Sequence, residues 1–196
     1  ADLVIVAGDV YDSYNPPAEA EKLFYRTLKE ITEGGKRVVL VIAGNHDSPD
    51  RLSAAGPLAM EHGILMAGLP GSVIPAGTYG CHQVIDSGEG YVEIEINGER
   101  AVILLLPYPS EKRLNDVIYQ EMDEEEKRAS SYGERIGRFF SALEGIYRED
   151  TINLAVAHLF AMDASAGGSE RGISLGGSYV VDGSCLPQKA QYIALG

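Results

Sequence analysis

The chain has 196 residues, of which 45% are hydrophobic, so it is long enough for one domain with a substantial core. No apolar run is long enough to span a bilayer, and we therefore expect no membrane partner. The formal net charge of −13 counts against strong nucleic-acid affinity by this chain alone, unless bound divalent cations or a partner supply positive potential.

The first part of the sequence predicts a strand–helix–strand unit. Leu3 to Ala7 and Val38 to Ala43 are apolar runs rich in β-branched residues, which is typical of buried strands. Between them, Pro16-Pro17 opens a segment with apolar residues at helical spacing, and Gly34-Gly35 end it. Because the parallel strands of such a unit end at the same edge of the sheet, polar residues that follow each strand should converge there.

Polar residues do follow both of these strands directly. Gly8-Asp9 comes after the first run, and Gly44-Asn45-His46-Asp47 comes after the second. Asn45 offers an amide oxygen to a metal ion, and His46 offers a ring nitrogen that can donate to an oxyanion. We expect Asp47 to support the turn rather than to take part in chemistry. Either motif alone is weak, but the two together indicate a functional site.

The rest of the chain continues the mixture of strands and helices. Ser48-Pro49-Asp50 begins a shorter helix that runs towards His62-Gly63, and Gly63 to Gly71 is predicted to be a glycine-rich connection. Asn97-Gly98 between two strand-like runs predicts a β-hairpin. The remaining predicted elements are strands over Tyr91 to Ile96 and Ala101 to Leu106, helices over Glu111 to Ile118 and Glu121 to Tyr147, a strand over Ile152 to Ala157, a loop over Gly167 to Gly177, and short strands over Tyr179 to Val181 and Tyr192 to Leu195.

The two cysteines do not indicate a metal site. Cys81 and Cys185 lie far apart without a metal-type spacing, so we expect reduced thiols in a cytoplasmic protein. Cys81-His82 is a tempting pair of ligands, but no further ligands lie near it in the sequence, and we interpret it as structural.

The motifs at the strand ends resemble a known family. Gly-Asp-x-x-Asp followed by Gly-Asn-His-Asp is similar to the calcineurin-like metallophosphoesterases, and longer matches narrow the resemblance to the SbcD-type nucleases. These matches are Gly8 to Pro17, Gly44 to Ser48, Ala157 to Phe160, Ser169 to Arg171 and Tyr192 to Gly196. The resemblance implies an α/β fold of the metallophosphoesterase type, a sandwich of two facing mixed sheets flanked by helices, with residues 1–196 as one domain.

The resemblance also implies a role for each polar residue of these motifs. Asp9 would bridge two metal ions, and Asn45 and His158 would bind one of them. The implied metal is manganese (Mn2+), with two ions in the intact domain and Mg2+ as the other candidate. His46 and Asn45 would contact the phosphate, His46 would stabilise charge in the transition state, and Asp12 would orient the His46 ring.

Structural alternatives remain open for these residues. Asp9 and Asp12 could cap a turn or the helix that Pro16 opens. Asn45 could be an ordinary turn residue, and His158 could be a hydrogen-bonded core histidine at the end of a strand. The position of Asp9, Asn45 and His158 at the end of an apolar strand favours the functional interpretation, and for Asp12 the match to the family position favours it.

The sequence departs from the family pattern at two points. The family carries an Asp-x-His motif ahead of the position of Asp9, and a Gly-x-His-x-His motif whose glycine corresponds to Gly196, and neither is present. We therefore expect a core segment of a nuclease domain, truncated at both ends and inactive by itself.

The resemblance further implies a reaction and partners for the parent protein. It would hydrolyse phosphodiester bonds of DNA as an exonuclease and endonuclease in repair and recombination, with an SbcC-like ATPase subunit and as a homodimer. Two alternatives stay open at this point: another calcineurin-like phosphodiesterase or phosphatase, and a non-catalytic interaction scaffold.

Overall fold

The computed structural model describes residues 1–110, 112–114, 131–161 and 180–196. The described helices are α1 (Ala18–Ile31), α2 (Pro49–Ser53), α3 (Gly56–Ala59) and α4 (Tyr132–Leu143), with 3-10 helices at Met60–His62, Glu144–Ile146 and Gly183–Cys185. The described strands are β1 (Leu3–Val6), β2 (Val38–Ile42), β3 (Ile64–Ala67), β4 (Gly77–Tyr79), β5 (His82–Gly88), β6 (Tyr91–Ile96), β7 (Glu99–Leu106), β8 (Ile152–Ala157), β9 (Phe160–Ala161), β10 (Val180–Val181) and β11 (Tyr192–Leu195).

Two sheets face each other in this fold. One is a parallel sheet with the order β1-β2-β3, and the other is a six-stranded mixed sheet with the order β11-β8-β7-β6-β5-β4. In the larger sheet β7, β8 and β11 run parallel, whereas β4 to β7 form antiparallel pairs. The strands β9 and β10 form a separate parallel pair. The expected sandwich of two sheets flanked by helices is confirmed.

Strand β2 shows why the sheets stack. All five of its residues are buried, and successive side chains point to opposite faces. Val38, Leu40 and Ile42 pack in the core between the two sheets, whereas Val39 and Val41 pack on the side of α1. The apolar run that the sequence presents as continuous is therefore shared between two cores.

The outer face of the larger sheet is covered by α4. Ile136, Phe139 and Phe140 of this helix are buried against Leu104 and Ala155 of the sheet. The order of layers is therefore helix, sheet, sheet, helix. This arrangement leaves the ends of the strands, rather than their faces, available for a site.

One predicted connection is wrong. The glycine-rich stretch expected over Gly63 to Gly71 contains strand β3, whose four residues pair in parallel with β2. Gly63 ends the preceding 3-10 helix with φ +78°, and an apolar run of only four residues follows it. So short a run carries little periodicity, and the flanking glycines dominated the sequence signal.

One predicted helix is interrupted. The single helix expected over Glu121 to Tyr147 is broken at Ser131, which is extended, and α4 begins at Tyr132, whereas residues 121–130 lie outside the described part of the chain. Ser131 Oγ accepts from the Glu134 backbone N–H, and the Glu134 side chain accepts from the Ser131 N–H, which forms a capping box.

Other predicted elements are confirmed or lie beyond the described part. The hairpin at Asn97-Gly98 is present, with φ of 53° and 87° at its two turn residues. The predicted helix over Glu111 to Ile118, the loop over Gly167 to Gly177 and the motif Ser169 to Arg171 fall largely or wholly outside the described residues. No described helix combines the length and the apolar character that crossing a membrane requires.

Candidate metal centre at the strand ends

Three strand ends bring the candidate residues to one edge of the sandwich. Asp9 follows β1 and Asn45 follows β2 in the smaller sheet, and these two strands are parallel neighbours. His158 follows β8 in the larger sheet. Its N–H donates to the Leu106 carbonyl at 3.0 Å, which continues the ladder between β7 and β8 by one residue. Both sheets therefore contribute side chains to the same rim.

The structure brings the three predicted metal ligands into contact. His158 Nε2 lies 3.0 Å from Asn45 Oδ1 and 3.5 Å from Asp9 Oδ1. The imidazole is buried, whereas Asp9 and Asn45 are exposed. The buried nitrogen thus forms the floor of the cluster, and the two oxygen donors face solvent.

The glycines ahead of Asp9 and Asn45 make this close approach feasible. A Cβ atom on Gly8 would overlap His158 Nδ1, and one on Gly44 would overlap Asp9 Oδ1. Gly8 also has φ +100°, a conformation that side chains disfavour. Any side chain at either position would push the loops apart.

Backbone contacts fix the tautomer of His158. Its Nδ1 lies 2.8 Å from the Ala7 carbonyl oxygen, which can only accept a hydrogen bond. In the neutral ring Nδ1 therefore carries the hydrogen, and Nε2 directs its lone pair at the oxygens of Asn45 and Asp9. A hydrogen bond from the ring nitrogen that does not bind the metal, like this one from Nδ1, is the usual way in which proteins orient a metal-binding histidine.

This arrangement fits a divalent cation. Adjacent ligands in an octahedral shell with bonds of about 2.1 Å lie about 3 Å apart, and the donor atoms here are separated by 3.0 and 3.5 Å. Carboxylate, amide and imidazole donors suit such ions. Within the described ranges no group of three His, Cys, Asp or Glu side chains could hold a metal ion. The cluster here differs in that its third candidate ligand is the side-chain amide of Asn45.

His46 and Asp12 lie on the same two loops as the candidate ligands Asn45 and Asp9. The His46 backbone N–H donates to Asp9 Oδ1 at 3.1 Å, and its side chain is half-buried. Asp12 is exposed in the connection between β1 and α1. A contact of the His46 ring with phosphate, and its orientation by Asp12, stay predictions.

The prediction that Asp47 supports the turn is confirmed. Its carboxylate is fully buried, and Oδ2 accepts the Gly44 N–H at 2.8 Å. This contact closes the Gly44 to Asp47 turn behind the cluster.

The sequence analysis missed Tyr108, which borders the cluster. Its ring packs edge-on against the His158 ring with centroids 6.1 Å apart, and its N–H donates to the Ala43 carbonyl at 2.9 Å. The Arg113 guanidinium lies 5.6 Å from the Tyr108 ring centroid. The signal was available, because Tyr108 follows the apolar strand β7 in the same way as Asp9 follows β1.

Comparison with known proteins agrees with this geometry. The family described as calcineurin-like phosphoesterase matches residues 1–156. The chain belongs to the calcineurin-like phosphoesterase family. Members of this family depend on metal ions, in keeping with the oxygen and nitrogen donors that converge at the strand ends.

Two curated relatives match over the whole chain. The chain is 40% identical over 195 residues to the SbcD subunit of the SbcCD nuclease of Bacillus subtilis, and this covers 100% of the chain and 46% of the relative. It is 29% identical over 207 residues to the corresponding SbcCD nuclease subunit of Rhodobacter capsulatus, with 100% and 47% covered. The chain thus spans about half the length of these curated relatives.

Proposed function

We propose that the chain is the core of an SbcD-like nuclease subunit that hydrolyses phosphodiester bonds of DNA. The observation that carries the proposal is that Asn45 Oδ1 and Asp9 Oδ1 lie 3.0 and 3.5 Å from His158 Nε2 at the rim of the sandwich. The similarity of the whole chain to two proteins named as SbcCD nuclease subunits supports DNA as the substrate. Exonuclease and endonuclease activity both belong to the proposal.

Each residue of the cluster has a proposed role. Asp9, Asn45 and His158 would hold one divalent cation, and Asp9 would also serve a second; Mn2+ is the proposed ion, with Mg2+ as the alternative. When bound, the cations would activate a water molecule and offset charge on the phosphoryl oxygens. His46 and Asn45 contact the phosphate, and His46 donates a hydrogen bond to an oxygen that gains charge. Asp12 accepts from the other nitrogen of that ring and orients it.

The charge of the chain bears on its partners. A formal net charge of −13 disfavours an approach to DNA. We propose that bound cations and an SbcC-like ATPase subunit supply the missing positive potential, and that the parent protein works as a homodimer in DNA repair and recombination in the cytoplasm. The names of the relatives, each as one subunit of an SbcCD nuclease, support an SbcC-type partner subunit.

The described residues assemble donors for one cation, whereas the proposed chemistry uses two. We therefore expect cleavage from the full-length protein and little or none from residues 1–196 alone. Calorimetric titration of the 196-residue chain with Mn2+ should give about one ion per chain. A stoichiometry near two would show that further donors come from other residues or from a second chain.

The decisive experiment uses Asp9→Asn in the full-length protein. The substitution should abolish Mn2+-dependent cleavage of hairpin and linear DNA while leaving the far-UV circular dichroism unchanged, because one charged ligand serves both ions. Asp50→Asn, at an exposed aspartate in the first turn of α2, is the matched control and should retain activity.

Two results would contradict the proposal. Cleavage by Asp9→Asn at the wild-type rate would remove Asp9 from the site. Turnover of a small aryl phosphodiester, with no cleavage of duplex DNA by the wild-type protein, would favour a different phosphodiesterase of the same family.

A further inference from the structure

The Asp47 carboxylate connects the two loops that carry Asp9 and Asn45. Its Oδ1 accepts the Tyr11 N–H at 2.9 Å, and its Oδ2 accepts the Val10 N–H at 3.1 Å. Both of these donors belong to the loop after β1, whereas Asp47 itself belongs to the loop after β2. Asp47 Oδ2 also accepts the Gly44 N–H at 2.8 Å, and Gly44 belongs to the same loop as Asp47. One buried side chain therefore accepts hydrogen bonds from backbone groups of both loops.

The two N–H groups from the first loop directly follow Asp9. Asp9 has φ +47°, a left-handed conformation that residues other than glycine seldom adopt. In this turn Val10 and Tyr11 direct their N–H groups into the protein interior, where each needs an acceptor. Asp47 supplies that acceptor and thus stabilises the turn that presents the Asp9 carboxylate.

A second contact runs in the opposite direction. Asp9 Oδ1 accepts the His46 N–H at 3.1 Å, so a carboxylate from each loop binds backbone of the other. Asn45 directly precedes His46, so the same hydrogen bonds between the two loops also fix the position of Asn45. The separation between the Asp9 and Asn45 side chains therefore depends on Asp47.

We propose that Asp47 is a positioning residue that sets the spacing of Asp9 and Asn45, and hence the cation affinity of the site, without binding the cation itself. The inference rests on the proposed metal site. Asp47 has no exposed surface, and both of its oxygens are turned towards backbone donors. Its role requires two acceptor oxygens, because an amide would direct its own NH2 group at one of the same N–H groups.

The test is Asp47→Asn in the full-length protein, with two measurements. Mn2+ affinity by calorimetry should fall by about 10- to 100-fold, which is typical for the loss of a group that orients a metal ligand. Hydrogen–deuterium exchange of the metal-free protein, followed by mass spectrometry, should accelerate in peptides that cover residues 8–12 and 43–47.

Glu93→Gln is the matched control. Glu93 is also a buried carboxylate, and it binds Arg148 Nη2 at 2.6 Å and Nη1 at 3.1 Å. Glu93 lies at the opposite end of the larger sheet from the candidate metal site. It pairs with Val102 of β7, and Val102 pairs with Asn153 near the start of β8, whereas His158 follows the end of β8. Its substitution should destabilise the fold while leaving Mn2+ affinity and exchange at residues 8–12 unchanged.

The outcomes separate this inference from the proposed function. Unchanged exchange in both peptides, or wild-type Mn2+ affinity in Asp47→Asn, would overturn the positioning role. A wild-type protein that binds no Mn2+ would overturn the proposed metal site, and the exchange rates alone would then decide the role of Asp47. Should Asp47→Asn not fold, Asp47→Glu serves instead; weaker Mn2+ binding in a folded Glu variant supports the role, and wild-type affinity refutes it.

Discussion

Crowding around individual residues determines which substitutions the loops at the site tolerate. Gly8 and Asp9 both have positive φ, at 100° and 47°, and the His158 ring lies directly against Gly8. A side chain at Gly8 would meet both the His158 ring and the backbone of Gly44. Its Cβ atom would lie 2.9 Å from the Cα atom of Gly44. The ring could rotate away, but the backbone of a neighbouring strand end could not.

This crowding gives the first prediction, which compares Gly8→Ala with Gly98→Ala. Both glycines have positive φ, but a Cβ atom on Gly98 would meet nothing within 4 Å. Gly98→Ala should lower the free energy of unfolding only by the cost of the left-handed conformation, about 1–2 kcal/mol. Gly8→Ala should lower it further and should also weaken Mn2+ binding, because the His158 ring must move. Urea denaturation and calorimetry measure the two effects.

Equal losses in the two variants would contradict this explanation, since only the available space distinguishes the two positions. Wild-type Mn2+ affinity in Gly8→Ala would show that the His158 ring can shift without leaving the cluster.

The second prediction concerns His46, for which we propose a catalytic role without metal binding. His46→Ala in the full-length protein should reduce DNA cleavage by roughly 10²–10³, as for the loss of one preorganised donor. The affinity and stoichiometry for Mn2+ should stay at the wild-type values. Loss of an ion in calorimetry, in a variant of normal stability, would make His46 a ligand instead.

For individual residues, the sequence predicted which side chains would come together but not the hydrogen bonds that orient them. Asp9 and Asn45 could be placed together because each follows an apolar strand and parallel neighbours end at one edge, whereas His158, which follows a strand of the other sheet, was found through the family resemblance of Ala157 to Phe160. The tautomer of His158 depends on the Ala7 carbonyl, 151 positions away in the sequence, and no local pattern records it. Tyr108 was missed because an aromatic residue after a strand is more often part of the core.

Some secondary-structure elements were predicted because they carry a continuous buried run or specific turn residues. The hairpin at Asn97-Gly98 and strand β2 have such signals, and the structure confirms both. Strand β3 has four residues between glycines and was mistaken for a connection. For α4 the cap at Ser131 was overlooked, since charged residues of high helix propensity precede it in the sequence.

The third prediction tests the capping box of α4. Ser131→Ala should lower stability by about 1 kcal/mol, because the Glu134 N–H loses its acceptor. Ser141→Ala makes the same chemical change at an exposed position inside the same helix and should be neutral or slightly stabilising. Thermal unfolding of the two variants separates the cap from helix propensity. An equal effect of both substitutions would argue against the box.

For the molecule as a whole, one buried and one partly buried tyrosine, Tyr11 and Tyr147, link stability to pH. Burial is the main cause that raises the pKa values of Tyr11 and Tyr147 above the ordinary value of 10.0, and neighbouring acidic groups add to it. The unfolded chain releases these protons near the ordinary value, whereas the folded protein retains them to higher pH. Their contribution to stability is therefore complete below about pH 10 and is lost as the pH rises towards the folded pKa.

The two tyrosines differ in their hydrogen bonds. Tyr147 Oη donates to the Leu154 carbonyl at 2.6 Å and so connects the segment after α4 to β8. Within the described residues Tyr11 Oη is buried without a hydrogen-bond partner, and its ring packs edge-on against Phe24 of α1. Removal of the hydroxyl should therefore have opposite consequences at the two positions.

The fourth prediction combines these two properties. At neutral pH Tyr147→Phe should cost about 1 kcal/mol for the lost hydrogen bond, whereas Tyr11→Phe should be neutral or stabilising, because it removes a buried hydroxyl without a partner. Above about pH 10 the free energy of unfolding should decline less steeply in each variant than in the wild-type protein, since one raised tyrosine pKa no longer contributes. Urea denaturation at a series of pH values measures both effects. A wild-type decline in both variants would place the alkaline sensitivity in other groups, and destabilisation by Tyr11→Phe at neutral pH would show that its hydroxyl is bound after all.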